Sequence, residues 1–241
     1  MVVTAFVFAA LREAAEWWPD GPYAERAERA ARWLVDRTWL ESGGYFVYHP
    51  GSNVNIHNAN LLAARAAMEA FPEDTHVRQL VTRAVEQTLA AQPADGSFPY
   101  GVGRNLGFVD SFHTGYVLDC LTALRHVDPA IENAIGRGAS YWLEHFFRED
   151  GGAMLWPDKR YPEDGHSTGT ALTTLAALNA AGQDHGPAMA RLGARALSSG
   201  LYRDQAVCRR YGRLRTTVRY MRWCDAHLAL GLANAAHALT R

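Results

Sequence analysis

A glycine-rich turn followed by aromatic residues recurs along the sequence at intervals of roughly 50 residues. The copies are SGGYFVYH from Ser42, DGSFPYG from Asp95, DGGAMLWP from Asp150 and a weaker SGLYRDQ from Ser199. An interval of this length holds two helices and two connections. The repeat therefore predicts stacked helical hairpins.

Two kinds of helix alternate within this repeat. The first is rich in Ala, Gly and Thr, as in LLAARAAMEA and TALTTLAALNAA, and small side chains let helices pack closely. The second is amphipathic and covers roughly 22–38, 73–92, 128–147 and 184–199. We expect an all-α fold, an incomplete α/α toroid of about five or six hairpins with the small-residue helices inside. Counting the first apolar segment gives five inner and four outer helices in one domain over residues 1–241.

Composition narrows the class of protein and its partners. With 24 Lys plus Arg and 25 Asp plus Glu, the formal net charge is -1, which predicts neither a nucleic-acid nor a membrane partner. The three cysteines form no CxxC pair, which fits a cytoplasmic, reducing compartment and predicts no structural zinc site. The apolar opening segment lacks the basic start of a signal peptide and soon reaches Arg12 and Glu13, so we expect neither a leader nor a membrane span.

Polar residues lie where each small-residue helix begins. In a helical toroid these helix starts share one end of the barrel, so residues far apart in sequence are expected to meet. The positive end of the helix dipole there favours anionic or hydroxyl-rich ligands. The residues gathered in this way are His57, Asn58, Asn60, Asp110, His113, Asp164, His166, Tyr220, Arg222, Asp225 and His227.

Asp110 and His113 form the first candidate catalytic pair. Their spacing of three puts both on one helical face, where the carboxylate could orient the imidazole or act itself as general acid or base. The alternative is that Asp110 caps its helix and His113 bonds a neighbouring carbonyl. Asp164 and His166 form a second such pair, with Asp164 as an ordinary N-cap in the competing interpretation.

The remaining candidates are predicted to hold substrate. His57, Asn58 and Asn60 offer donors and acceptors for sugar hydroxyls, or serve as turn and cap residues. The arginine-rich segment RRYGRLRTTVRYMRWCDAH carries Arg222, the candidate for a bidentate bond to a substrate carboxylate, while its other arginines are expected to be solvated. The other candidates are the aromatic residues Tyr100, Trp156 and Trp223 with Asp225 for binding, and Tyr220 as a catalytic base. No HExxH or similar spacing occurs, so neither a metal nor a cofactor is expected.

Two resemblances bear on the fold and the function. The stretch LAAQPADGSFPYG resembles the repeat of the squalene cyclase and prenyltransferase superfamily, whose domains are α/α toroids, but VDSFH stands where class II terpene cyclases carry DxDD. More of the chain, including IHNANLLAA, VDSFHTGYVLDCL, HSTGTALTTL and YMRWCDAHLALGLA, resembles a poorly characterised bacterial family often found with polysaccharide-biosynthesis genes. Members of that family usually carry an additional N-terminal portion. This resemblance implies a carbohydrate-related role, because similar toroids serve uronate epimerases, polysaccharide lyases and unsaturated-uronyl hydrolases.

Three functions follow as alternatives. The first is an enzyme acting on a saccharide, in particular a uronate-containing one, with His113 or Tyr220 as base for epimerisation or elimination, or Asp110 and Asp164 as the two carboxyl groups of a hydrolase. The second is a terpenoid cyclase-like enzyme with a dry aromatic cavity. The third is a non-catalytic saccharide-binding or scaffold protein. Self-association of the chain stays open in all three.

Overall fold

The computed structural model describes residues 1–199, 201 and 206–240. Within these residues the chain forms α-helices joined by short turns and small antiparallel sheets. The helices are α1 Val2–Trp17, α2 Tyr23–Thr38, α3 His57–Ala70, α4 Thr75–Ala90, α5 Ser111–Ala123, α6 Ala130–Phe146, α7 Gly165–Ala180, α8 Gly186–Ser198 and α9 Ala226–Leu239. The strands are β1 Trp39–Leu40, β2 Tyr45–Phe46, β3 Glu163–Asp164, β4 Arg209–Tyr211 and β5 Leu214–Arg215.

These helices confirm the alternation predicted from the sequence. The even-numbered helices α2, α4, α6 and α8 are the predicted amphipathic ones, and both ends of each lie within about two residues of the expected positions. Part of the weakest repeat, the SGLYRDQ turn, lies outside the described residues. Among the described residues, no helix is both long enough and apolar enough to cross a bilayer.

The chain divides into two compact units. The first unit contains Met1–Pro93, Pro99–Phe108 and Ala123–Ala134. Within it, α1 packs on α2 and α3, and α3 packs on α2 and α4. Helix α3 is buried on nearly all sides, in keeping with its alanine-rich sequence. The N-cap Asp74 starts α4, because its carboxylate accepts the backbone N–H groups of His76 and Val77 at 2.9 and 3.1 Å.

The second unit contains Ala94–Phe98, Val109–Thr122 and Ile135–Arg241. Its central element is α7, which packs on α8 and α9 and is linked to α5 by the bond from Thr174 Oγ1 to the Gly115 carbonyl, 3.0 Å long. Strands β3, β4 and β5 form one antiparallel sheet, in which Glu163 pairs with Arg210 and Arg210 with Arg215. The β3 strand runs directly into the first turn of α7.

The repeated Asp-Gly turns have a common physical cause. Asp95 and Asp150 each accept a backbone N–H two residues ahead, at 2.9 and 3.0 Å. The intervening Gly96 and Gly151 have φ of 88° and 80°, and a Cβ on either would lie 2.5 or 2.6 Å from a backbone carbonyl oxygen of the adjacent amphipathic helix. Only glycine meets both requirements, which explains why this turn recurs.

Helices α7 and α9 touch through their backbones. A Cβ on Gly169 would collide with the backbone of His227 and lie 2.6 Å from the Leu228 nitrogen, and a Cβ on Gly231 would collide with the Gly169 carbonyl oxygen. Since neither backbone can withdraw without unpacking a helix, the two glycines fix how closely α7 and α9 approach.

We therefore expect Gly169→Ala to lower the free energy of unfolding by about 1–3 kcal/mol, because the added methyl group has to separate α7 from α9. The matched control is Gly136→Ala on the exposed face of α6, where nothing lies within 4 Å of the added Cβ. That change should raise stability by roughly 0.4–1 kcal/mol through helix propensity and chain entropy. Urea unfolding followed by circular dichroism measures both; equal effects of the two substitutions would contradict this packing.

Candidate active site

Three helix starts of the second unit bring histidines together. His113 lies in the first turn of α5, His166 in the first turn of α7 and His227 in the first turn of α9. The rings of Phe112, His166 and His227 form a column: Phe112 stacks on His166 with centroids 4.3 Å apart, and His166 stacks on His227 at 4.4 Å. The convergence expected from the repeat is therefore present among these three helices.

The Tyr116 hydroxyl joins the two stacked histidines. It lies 2.6 Å from His166 Nε2 and 3.1 Å from His227 Nε2. A phenol has one proton, so it can donate to only one neutral imidazole. The other imidazole must then donate its own Nε2–H to the phenol oxygen. At least one of the two imidazoles therefore donates its Nε2–H to the phenol oxygen.

Burial keeps these groups uncharged. Desolvation, with the nearby His227 and His113, lowers the pKa of His166 to about 2. It also lowers the pKa of His227 and raises the pKa of the Tyr116 phenol. At neutral pH the two imidazoles of the column and the Tyr116 phenol are therefore uncharged, and a proton passed among them creates a buried charge unless a second proton enters or leaves at the same time.

Asp110 both caps α5 and orients His113. One carboxylate oxygen accepts the backbone N–H of His113 at 2.9 Å, and the other lies 2.6 Å from His113 Nδ1. The carboxylate is 3% exposed and the imidazole 21% exposed. With Nδ1–H donated to Asp110, the neutral ring carries its lone pair on Nε2. Asp110 therefore caps α5, as one interpretation of the spacing expected, and also orients the His113 imidazole, as the other expected.

Asp164 has a structural role in this arrangement. It is the N-cap of α7, accepting the Ser167 N–H at 2.8 Å, and Arg209 lies 3.5 Å from its second oxygen. Burial raises the pKa of this carboxyl, while the bonds from Ser167 and Arg209 oppose the rise. Its expected catalytic role stays a prediction, and the cap interpretation describes the contacts present.

Glu163, the residue before Asp164, anchors β3 through contacts with three arginines. Its fully buried carboxylate contacts Arg195 at 3.1 Å, Arg210 at 2.6 Å and Arg148 at 3.4 Å. Burial opposes ionisation, but the three guanidinium groups outweigh it and hold the pKa of Glu163 below its ordinary value. This cluster ties the ends of α6, α8 and β4 to the strand that leads into His166.

The candidates Arg222 and Asp225, near the C-terminal end of the sequence, lie on one turn. The helix expected to start at Arg222 begins instead at Ala226, because residues Met221–Asp225 form a π-helical turn. Asp225 accepts the Ala206 N–H at 2.6 Å and pairs with Arg219, which holds that turn. These contacts give Asp225 a structural role, and its expected substrate contact stays a prediction; Arg222 lies exposed on the turn.

The aromatic candidates occupy different surroundings. Tyr220 and Trp223 stack on each other at 5.7 Å and are 37% and 56% exposed. Trp156 is half-buried in the loop before β3, and Tyr100, in the first unit, stacks on Phe108 at 4.8 Å.

In the first unit, the start of α3 holds a separate buried polar group. His57 and Asn60 are fully buried, and Asn60 bonds the Phe46 N–H at 2.9 Å and the Ala84 carbonyl at 2.7 Å. His57 Nε2 and Asn58 Oδ1 have no protein partner among the described residues. Burial lowers the pKa of His57 to about 4. Asn60 therefore has a structural role, while His57 and Asn58 keep polar atoms for a ligand or water.

Sequence reasoning identified neither Phe112 of the column nor Tyr116, which contacts its two histidines. It places His227 among the converging residues but gives it no role. The available sequence pattern was the three-residue spacing from His113 to Tyr116, which puts a second polar tip on the same helical face. Within the described residues, no group of three His, Cys, Asp or Glu side chains is arranged to hold a metal ion.

Comparison with known proteins places the fold. Neither a family model nor a curated protein sequence matches this chain. A cellobiose 2-epimerase from Spirochaeta thermophila matches with a TM-score of 0.76 and 16% identity, over 100% of this chain and 69% of that protein. An unsaturated glucuronyl hydrolase from Streptococcus agalactiae gives a TM-score of 0.74 and 14% identity, over 98% and 70%. An α-1,6-mannanase from a Salegentibacter species, in complex with a mannotetrose, gives 0.66 and 12%, over 99% and 74%.

The fold is an all-α toroid. This agrees with the fold class expected from the repeat.

The pKa directions predict an acid-sensitive fold. Unfolded histidine takes up a proton below about pH 6.5, whereas folded His57, His166 and His227 resist it, so stability should fall as the pH drops from 7 to about 5.5. His57 and His166, whose folded pKa values lie below this interval, should each lower the free energy of unfolding by about 1 kcal/mol over it, and His227 should act in the same direction. His166→Phe should remove its share, while His126→Gln, at an exposed position, should leave the dependence unchanged. Urea unfolding at both pH values tests this; identical pH dependence in His166→Phe and the unaltered chain is the contradicting result.

Proposed function

We propose that this chain is an enzyme acting on a saccharide, with uronate-containing oligosaccharides as substrates and proton abstraction as the first chemical step. The observation that carries the proposal is the Tyr116 hydroxyl held between His166 Nε2 and His227 Nε2 at 2.6 and 3.1 Å, on the same helix as the Asp110–His113 pair. Tyr116, His166 and His227 can donate or accept protons, and burial keeps these three side chains uncharged.

Such a set fits epimerisation or elimination. The C5 proton of a uronate is made acidic by the adjacent carboxyl group, and a base with its lone pair available at neutral pH can remove it. His113 is our candidate base, because Asp110 fixes its tautomer and stabilises the imidazolium that forms. Protonation of C5 by the Tyr116 hydroxyl would give the epimer, after which the His113 imidazolium returns its proton to the phenolate through solvent. Loss of the C4 substituent, protonated by the His113 imidazolium or by water as it leaves, would give the unsaturated product.

The solved structures of similar fold support the same substrate class. They include a cellobiose 2-epimerase, a sugar epimerase and unsaturated glucuronyl hydrolases. At 9–16% identity these proteins share a fold with this chain, so the reaction is argued from its own residues.

Two other functions fit the contacts less well. Hydrolysis by the paired-carboxyl mechanism needs two carboxyl groups free to face the scissile bond, and both Asp110 and Asp164 are engaged as caps with a basic partner each. A terpenoid cyclase would need an apolar lining, whereas this column and Tyr116 present imidazole and phenol groups.

A non-catalytic binding or scaffold protein is a further alternative. Such a protein would keep its affinity for the saccharide when the proton donors and acceptors at His113 and Tyr116 are removed.

Proton exchange in D2O tests the proposal. We expect the chain to incorporate deuterium at C5 of a uronate oligosaccharide, and His113→Gln to reduce the rate by about 10²–10⁴-fold, the range for a positioned acid or base. Tyr116→Phe should reduce it in the same direction, because the ring packing stays while the proton path between the histidines is lost. Mass spectrometry and NMR measure exchange and product.

The control is His126→Gln, an exposed histidine outside the column, which should exchange at the unaltered rate. Exchange at C5 without cleavage of the glycosidic bond indicates epimerisation, and an unsaturated product indicates elimination. Unchanged exchange in both His113→Gln and Tyr116→Phe would refute the assignment, as would release of a saturated sugar with no exchange at C5.

A further inference from the structure

The β3–β4 pairing brings two basic segments together beyond the sheet. Glu163 lies opposite Arg210 and Asp164 opposite Arg209, so the segment before β3 runs toward the turn that joins β4 and β5. A Cβ on Gly212 would lie 3.5 Å from the Tyr161 hydroxyl, which agrees with this direction. Residues about 50 positions apart in sequence therefore share one surface.

The positive charges of this surface differ in their partners. At its base, Arg210 and Arg209 pair with Glu163 and Asp164. Four exposed cations make no ion pair with any described residue: Lys159, Arg160 and Arg213 lie farther along, and Arg215 lies opposite Arg210 on β5. The adjacent Asp158 carboxylate contacts His145 Nδ1 at 3.0 Å. The base is neutralised and the outer part has an excess of positive charge.

Two exposed aromatic rings accompany these cations. Tyr161 is 40% exposed and Tyr211 is 47% exposed, and the Arg160 guanidinium lies 5.7 Å from the Tyr161 ring centroid. We call Lys159, Arg160, Tyr161, Tyr211, Arg213 and Arg215 the tip patch. Because the whole chain has a formal net charge of -1, this patch is a local feature rather than part of a general positive field.

We propose that the tip patch is a binding subsite for the carboxylate groups of a uronate-containing oligosaccharide. Guanidinium groups bind carboxylates in a bidentate manner, and tyrosine rings pack on the apolar faces of sugars. This inference rests on the proposed function for its substrate class. It adds a second anchoring point, outside the histidine column, on the strands that lead toward His166 and His227.

The structure also explains why a saccharide is favoured over nucleic acid. Binding of a single strand typically relies on a groove of basic residues with successive stacking rings. Here the cations lie at the outer end of a short hairpin, and the strand behind it runs into the α7 turn that carries His166. A short acidic sugar chain matches that extent.

The test compares two double variants by titration calorimetry with hexagalacturonate as the probe. Arg213→Gln/Arg215→Gln should bind about three- to tenfold more weakly than the unaltered chain at about 25 mM salt, and the difference should shrink at about 200 mM salt. The matched control, Arg26→Gln/Arg29→Gln, removes the same charge from the exposed face of α2 and should bind as the unaltered chain does. Circular dichroism melting checks that both variants stay folded.

Three results would overturn the subsite: equal weakening in both double variants, equal affinity for hexagalacturonate and a neutral cello-oligosaccharide, or tighter binding of oligo(dT) than of hexagalacturonate. Binding and turnover are read separately. A chain that exchanges sugar protons but shows no preference for acidic chains refutes the subsite alone, whereas one that binds acidic chains through the patch without exchange refutes the proposed reaction.

Discussion

The contact between the backbones of α7 and α9 at Gly169 decides the geometry of the candidate active site. The residue that Gly169 touches is His227 itself, and His166 lies one turn before Gly169 on the same helix. The 4.4 Å stack of the two imidazoles is therefore a result of helix packing. A larger residue at this position would move one histidine away from the other and from Tyr116.

Around this contact the protein separates charged from uncharged groups. The column of Phe112, His166 and His227 is neutral, with Tyr116 protonated by burial. The carboxyl groups beside it each have polar partners: Asp110 contacts His113 and a backbone N–H, and Asp164 contacts Arg209 and the first turn of α7. Because these groups are uncharged and buried, a proton can pass among them at low cost only when another proton enters or leaves at the same time, which avoids a buried ion pair.

Local patterns in the sequence were sufficient for the helices and for part of the site. The amphipathic period and the Asp-Gly turns predicted α2, α4, α6 and α8, because both arise from contacts within a few residues. The Asp110–His113 pair was predicted for the same reason. The turn that contains Arg222 shows where local patterns stop being sufficient. This π-helical turn is held by the contacts of Asp225 with Ala206 and Arg219, which no local pattern contains.

Other parts of the site depended on contacts between distant segments. Tyr116 looked like a core residue of α5, and only the packing of α7 and α9 against it gives its hydroxyl two partners. The tip patch likewise exists because the β3–β4 register aligns segments about 50 residues apart. Sequence periodicity identifies which face a residue occupies, but it does not identify what meets that face.

The contacts of Glu163 with Arg148, Arg195 and Arg210 restrict which substitutions this protein can accept during evolution. One buried carboxylate contacts Arg148, Arg195 and Arg210, and only the first two also pair with Asp150. A neutral residue at position 163 would therefore leave three guanidinium groups close together with one carboxylate among them and, within the described residues, Arg210 without its own. Such a replacement is tolerable only when at least one arginine is exchanged as well. In related sequences these four positions should therefore change together, and their joint pattern would mark the homologues that keep the same strand in front of α7.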